Sequence, residues 1–167
     1  MKEKMNNILN LLQKDYEEAE LVTYMKTEEE TGENVLTLAI EDFIDVENDV
    51  FADLFFETVD GFEPVLSFIC DIELWQDIPL ENALELLISI NAINSYCNIG
   101  SFYVSDEDNS LHFKIAAPFS ATLSDEKLME KADFVFGMAL QLVEGNFEVI
   151  QKIANGEIKF DQDLEDL

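Results

Sequence analysis

From Leu128 to Ile153 apolar residues recur every three or four positions: Leu128, Ala132, Val135, Phe136, Ala139, Leu142, Val143, Phe147, Ile150 and Ile153. That rhythm predicts an amphipathic helix of about eight turns, which needs an equally long apolar surface to lie on. Ser124 suits its N-cap, Asp125 and Glu126 complement the helix dipole in the first turn, and Asn155-Gly156 ends it. Gly137 and Gly145 interrupt it, each costing roughly 1 kcal/mol against alanine. The expected reason is close approach to a sheet or a second helix.

The surface for that helix comes from strands. Leu36, Leu38 and Ile40 alternate with Val35, Thr37, Ala39 and Glu41, and Val50, Ala52, Leu54 and Phe56 line one face of a second strand. Leu66, Phe68, Cys70, Ile72 and Leu74 line one face of a third. Short connections between such runs imply an antiparallel meander. The segment Leu21–Met25 is a further short strand candidate without a clear place. At the start, Met5, Ile8, Leu9 and Leu12 predict a helix over 3–14, with Lys14 to Glu18 breaking its pattern.

A second helix is expected from Leu80 to Ser95, opened by Asp77 as a cap with Pro79 in the first turn. It is apolar around most of its girth, so it should be covered on more than one side, by the terminal helices or by a second subunit. Asn91 and Asn94 continue its apolar rows. Their amides either bond helix-end carbonyls and the neighbouring hairpin, or contact a ligand. A β-hairpin follows, Ile99 to Ala117 around the turn Asp106–Ser110, with Pro118 ending it. Strands segregated between helices make the class α+β, in one domain over 1–160 with an acidic tail at 161–167.

Charge limits the partners. The chain has 37 Asp and Glu against 9 Lys and Arg, a net −28. Such a surface repels phosphate backbones and anionic lipids, so neither nucleic acid nor membrane is an expected partner. The charge serves solubility or steers basic partners towards the chain. The polar start from Met1 to Asn7 lacks a signal-peptide core, and no apolar run approaches the roughly 20 residues of a membrane span, so the expected location is cytoplasmic. Cys70 and Cys97 then read as buried free thiols.

Catalytic and metal motifs are not found. The sole histidine, His112, lies on a strand, on the side expected to face solvent, and a nucleophilic site is defined by geometry that spacing does not supply. Asp45-Val-Glu-Asn-Asp49 starts like a calcium loop, yet Val50 stands where glycine is needed and Phe56 where a bidentate acid is needed. Two cysteines and one histidine match no structural zinc spacing, and no glycine-rich phosphate loop occurs. No cofactor, no metal and no enzymatic role are expected.

Leu84-Glu-Leu-Leu-Ile-Ser-Ile-Asn-Ala-Ile-Asn94, then Ile99-Gly-Ser-Phe-Tyr-Val104, the acidic turn, Leu111-His-Phe-Lys-Ile115 and the helix from Ser124 resemble the YbjN family. The resemblance covers roughly residues 80–155. It implies a fold like that of type III secretion chaperones: a helix, a three-stranded antiparallel run, a helix, a hairpin and a final helix. It also implies a small acidic homodimer that holds an extended client segment against its sheet. The expected function is therefore a protein-binding module, chaperone-like or regulatory, that holds a peptide or protein partner. Phe51, Phe55 and Val65, pointing away from the main apolar face, form either the contact surface or a core on the second sheet face. The alternatives are an acidic decoy that occupies a basic site on its target, or an enzyme whose site carries no motif.

Overall fold

A computed structural model describes residues 1–28, 32–41, 43, 50–59, 61, 64–106 and 109–158. Helix α1 (Lys2–Glu18) leads into strands β1 (Val22–Thr27), β2 (Asn34–Ile40), β3 (Val50–Thr58) and β4 (Val65–Trp75). Helix α2 (Ala83–Tyr96), strands β5 (Ser101–Val104) and β6 (Leu111–Ser120), and helix α3 (Asp125–Ala154) follow. The strands form one antiparallel sheet in the order β1-β2-β3-β4-β6-β5. The class is α+β.

The meander has a fourth strand, because the segment after α1 returns along β2 with Tyr24 opposite Thr37. The C-terminal hairpin joins the same sheet by its second strand, Cys70 facing Ile115 and Phe68 facing Ala117. Pro118 does not end β6, which runs on to Ser120. Beyond Lys114 the short β5 no longer pairs with it, so a proline without N–H costs no ladder bond on that side.

Alternation decides the layers. Leu36, Leu38, Leu54, Phe56, Leu66, Phe68, Ile72, Phe113 and Ile115 are buried on the inner face, in one apolar core with rows from α1 and α3. Tyr16 belongs to that core: α1 continues past the expected end at residue 14, and the Tyr16 ring lies 5.7 Å from that of Phe136. The Tyr16 hydroxyl donates to Asp133 at 3.1 Å. Burial first, and then the Asp133 carboxylate, push its pKa far up. Lys4 ties the start of α1 to the start of α3, donating to the Leu123 carbonyl at 2.7 Å and to Asp125 at 2.8 Å.

The α3 boundaries agree with the periodicity. Ser124 accepts from the Lys127 N–H, and Gly156 closes the end at φ +71°, its N–H donating to the Ile153 carbonyl. The start of α2 differs. Asn82 is its N-cap residue, after a 3₁₀ turn at Leu80–Asn82, while Asp77 stands in the turn at φ 53°. The two helical glycines also differ from expectation, since a Cβ at Gly137 or Gly145 would meet nothing within 4 Å. Gly137→Ala should therefore raise stability by about 0.5–1 kcal/mol, through propensity alone. A higher denaturation midpoint checks it, and an unchanged or lower one would mean that something else covers that position.

Candidate functional site

On the outer face of the sheet, where Val35, Ala39 and Ile69 are buried, the polar positions of β4, β5 and β6 also meet. Because Asp71 of β4 pairs with Lys114 of β6, and Glu73 with His112, register brings these groups onto adjacent rows. Tyr103 of β5 lies opposite His112 and its ring stacks on the imidazole at 5.1 Å. Asp71 accepts from the Tyr103 hydroxyl at 2.7 Å and meets His112 Nδ1 at 3.0 Å and Lys114 Nζ at 3.6 Å. On the other side of the ring, His112 Nε2 lies 2.7 Å from Ser110 Oγ. Burial opposes the Asp71 charge. The hydrogen bonds from His112 and Tyr103, with the attraction of His112 and Lys114, outweigh it and hold the carboxyl below its ordinary value.

Ser110, His112 and Asp71 thus stand in the hydrogen-bond order of a Ser–His–Asp triad. Access is what differs: Ser110 is 0% exposed, and its hydroxyl lies beneath the surface an acyl group would have to approach. The chain of bonds ties β4, β5, β6 and the turn before β6 together. Sequence reasoning missed it. Alternation puts Asp71, Tyr103 and His112 on the outer face, but only strand order and register make them neighbours.

Beside this network a shallow cavity of about 220 Å³ opens between Lys26, Thr37, Phe51, Asp53, Asp71, Glu73 and His112. Its acids are paired: Asp53 accepts from Thr37 and lies 3.6 Å from Lys26, and Glu73 accepts from Gln76. Among the described residues no group of three or more His, Cys, Asp or Glu could hold a metal ion. The candidate calcium segment at 45–49 and the tail at 161–167 lie outside the described residues.

The two edges of the sheet are unlike. At the β5 edge the Asn94 amide donates to the Phe102 carbonyl at 2.9 Å and accepts from the Phe102 N–H at 2.8 Å. A side chain thereby takes both backbone groups that Phe102 would offer another strand. Asn94 follows the hairpin reading, and Asn91 is exposed. The β1 edge has no strand beside it among the described residues, and its outer face shows Tyr24 at 55% exposure. Phe51, two strands inward, is 38% exposed, and Phe55 and Val65 are half-buried. Their neighbours on that face, Val35, Ala39 and Ile69, are buried. Phe51 and Phe55 share the patch near Val22 and Tyr24, whereas Val65, opposite Ser120, lies at the other end of the ladder.

Among the described residues nothing covers the apolar excess of α2. Only Leu86, Ser89 and Ile90 are buried, while Leu84 is 74% exposed and Leu87 and Ile88 lie open beside it. Between the end of α2 and α3 runs a trough of about 860 Å³, open on one side. Cys97 lies in it half-exposed, which corrects the expectation of two buried thiols; Cys70 is buried, and burial pushes its thiol pKa far up. Among the described residues no helix is long and apolar enough to cross a membrane.

No family model matches the sequence, and no curated protein matches it. Several solved structures are similar in shape. One is the crystal structure of YbjN from E. coli, a proposed transcription regulator, with 12% identity over 91% of this chain and 95% of that one and a TM-score of 0.44.

Proposed function

We propose that the chain is a non-enzymatic protein-binding module that takes an extended segment of a peptide or protein partner along β1. The observation that carries this reading is the contrast between the edges: Asn94 takes both backbone groups of Phe102 in β5, while among the described residues no strand lies beside β1, where Tyr24 and Phe51 are exposed on the outer face. An added strand gains main-chain hydrogen bonds from the edge, and its alternate side chains meet the outer-face patch, Phe51 and Phe55 included. Val65 is too far along the ladder to share that contact. With −28 on the chain, the favoured segment alternates apolar and basic residues. The chain acts as a homodimer in this reading, through the uncharged stripe of Leu84, Leu87, Ile88 and Asn91.

A bead-displayed library of ten-residue peptides tests the edge. Selected binders should protect the amides of Val22–Thr27 from hydrogen exchange, and N-methylation at alternate peptide residues should abolish binding. Binders that leave β1 unprotected would overturn the reading. Binding that vanishes at moderate salt whatever the peptide register would favour the acidic decoy instead. Sedimentation of Leu87→Glu addresses the dimer separately.

A further inference from the structure

The trough between α2 and α3 is a second surface, independent of the β1 edge. Its walls are Ile93, Tyr96 and Ile99 on one side and Met138, Leu142 and Val149 on the other. Among the described residues no charged side chain lines it, on a chain with 37 acids. An uncharged lining of this size on so acidic a molecule favours an occupant that brings apolar groups inward. The polar residues at its margin are Asn98, Gln141 and Asn146, and the Asn146 amide is already spent on the Leu142 carbonyl at 2.7 Å.

The shape excludes one class of occupant and the walls another. A trough open on one side does not enclose the 70–90% of a small molecule's surface that such ligands bury in about 300–1,000 Å³ sites. A strand would need backbone partners along its length, and apart from Cys97, Asn98 and Ile99 in the loop after α2 the walls are helix side chains, so most of its amides would go unpaired. A helix satisfies its own backbone and presents side chains at i, i+3, i+4 and i+7 to a groove. Gly145 supports this directly. It lines the trough and is exposed inside a helix, at a cost of about 1 kcal/mol against alanine, and outside its own stretch of helix no described residue lies within 4 Å of where its Cβ would be. A bare backbone at that point lets an incoming helix approach closely.

Charge chooses among helices. Glu144 stands exposed on α3 beside Gly145, Glu148 is paired with Lys152, and the field of the whole chain is negative. We infer that the α2–α3 trough docks an amphipathic helix of a partner protein, with its apolar stripe over Gly145 and lysine or arginine along its flanks.

The probe is a fluorescent 18-residue helix of leucine and lysine in amphipathic order, measured by anisotropy against the full chain. A shuffled peptide of the same composition and a leucine–glutamate helix of the same pattern are the controls. The leucine–lysine helix should bind at least tenfold more tightly than either control. Gly145→Leu fills the trough floor with a better helix former and should weaken binding at least tenfold while raising the thermal midpoint. Ile99→Glu, in the loop after α2, should weaken it comparably even though it adds a charge that attracts lysine. Equal binding of the shuffled peptide would overturn the inference, as would unchanged binding by both variants. A wild-type dimer in sedimentation that Gly145→Leu dissociates would also overturn it, by assigning the trough to a second copy of the chain.

Discussion

Phe68→Ala should cost about 4 kcal/mol, the largest loss expected from any single truncation here, since removing a fully buried phenylalanine loses its transfer energy and leaves a cavity. Phe68 is fully buried at the middle of β4, where β3 and β6 pair on both sides. Its ring lies 5.1 Å from Phe56 and 6.1 Å from Phe119, so one deletion loosens three strands. Those strands form the centre of a sheet with long pairings on either flank, which leaves little freedom to collapse around the gap. In a chain of this size the midpoint should fall by about 10 °C. A loss under about 2 kcal/mol would mean that the centre repacks and is not where the sheet is most rigid.

Asp71→Ala should cost about 2–3 kcal/mol, because three donors lose one charged acceptor and two of them are largely shielded from water. The side chains of His112 and Asp71 are only 15% and 17% exposed, so water replaces the lost bonds poorly. The dependence on pH gives a second readout. The folded carboxyl lies below its ordinary 3.8, and the ionised form is what the fold stabilises. Its contribution is therefore complete above the unfolded value and is lost as pH falls below 3.8 towards the folded value. The stability gap between wild type and Asp71→Asn should shrink across that acid range and hold steady above it. Trp75, the single tryptophan, ends β4 next to Glu73 and reports unfolding of this corner. A gap that persists unchanged at low pH would show that Asp71 acts through packing and not through its charge.

Both effects concern neighbours that local pattern does not supply. In β4 the alternation of Phe68, Cys70 and Ile72 with Ile69, Asp71 and Glu73 reads directly as inside and outside, and the structure keeps that division. The same holds for nine of the ten apolar positions of α3, Leu142 alone reaching the open trough, and for its two ends. Tyr16 was concealed because acidic residues surround it, although it continues the row of Met5, Leu9 and Leu12. The strand at Val22–Thr27 is short and polar on both flanks, so only the presence of β2 beside it gives it a place. For the candidate sites, Phe51 and Phe55 were legible as apolar residues on the second face. Whether that face had a covering layer was not, since a covering layer and an open surface demand the same alternation within one strand.

Period and capping chemistry determined by themselves the α+β class, the length of α3, and the face on which each strand residue lies. These are properties of a few consecutive residues, and the physical forces behind them act within a turn or a strand. Tertiary structure alone decided that the hairpin enters the sheet through β6 and not β5, that Asp71 meets His112 and Tyr103, and that Asn94 takes the backbone groups of Phe102 at one edge while no described strand lies beside β1 at the other. A period of two specifies a face but neither a partner nor a register, because sliding a strand by two residues preserves every inside–outside assignment. It also decided that the apolar excess of α2 faces outward, a surface that burial on one side only could not predict and that α3 covers only in part.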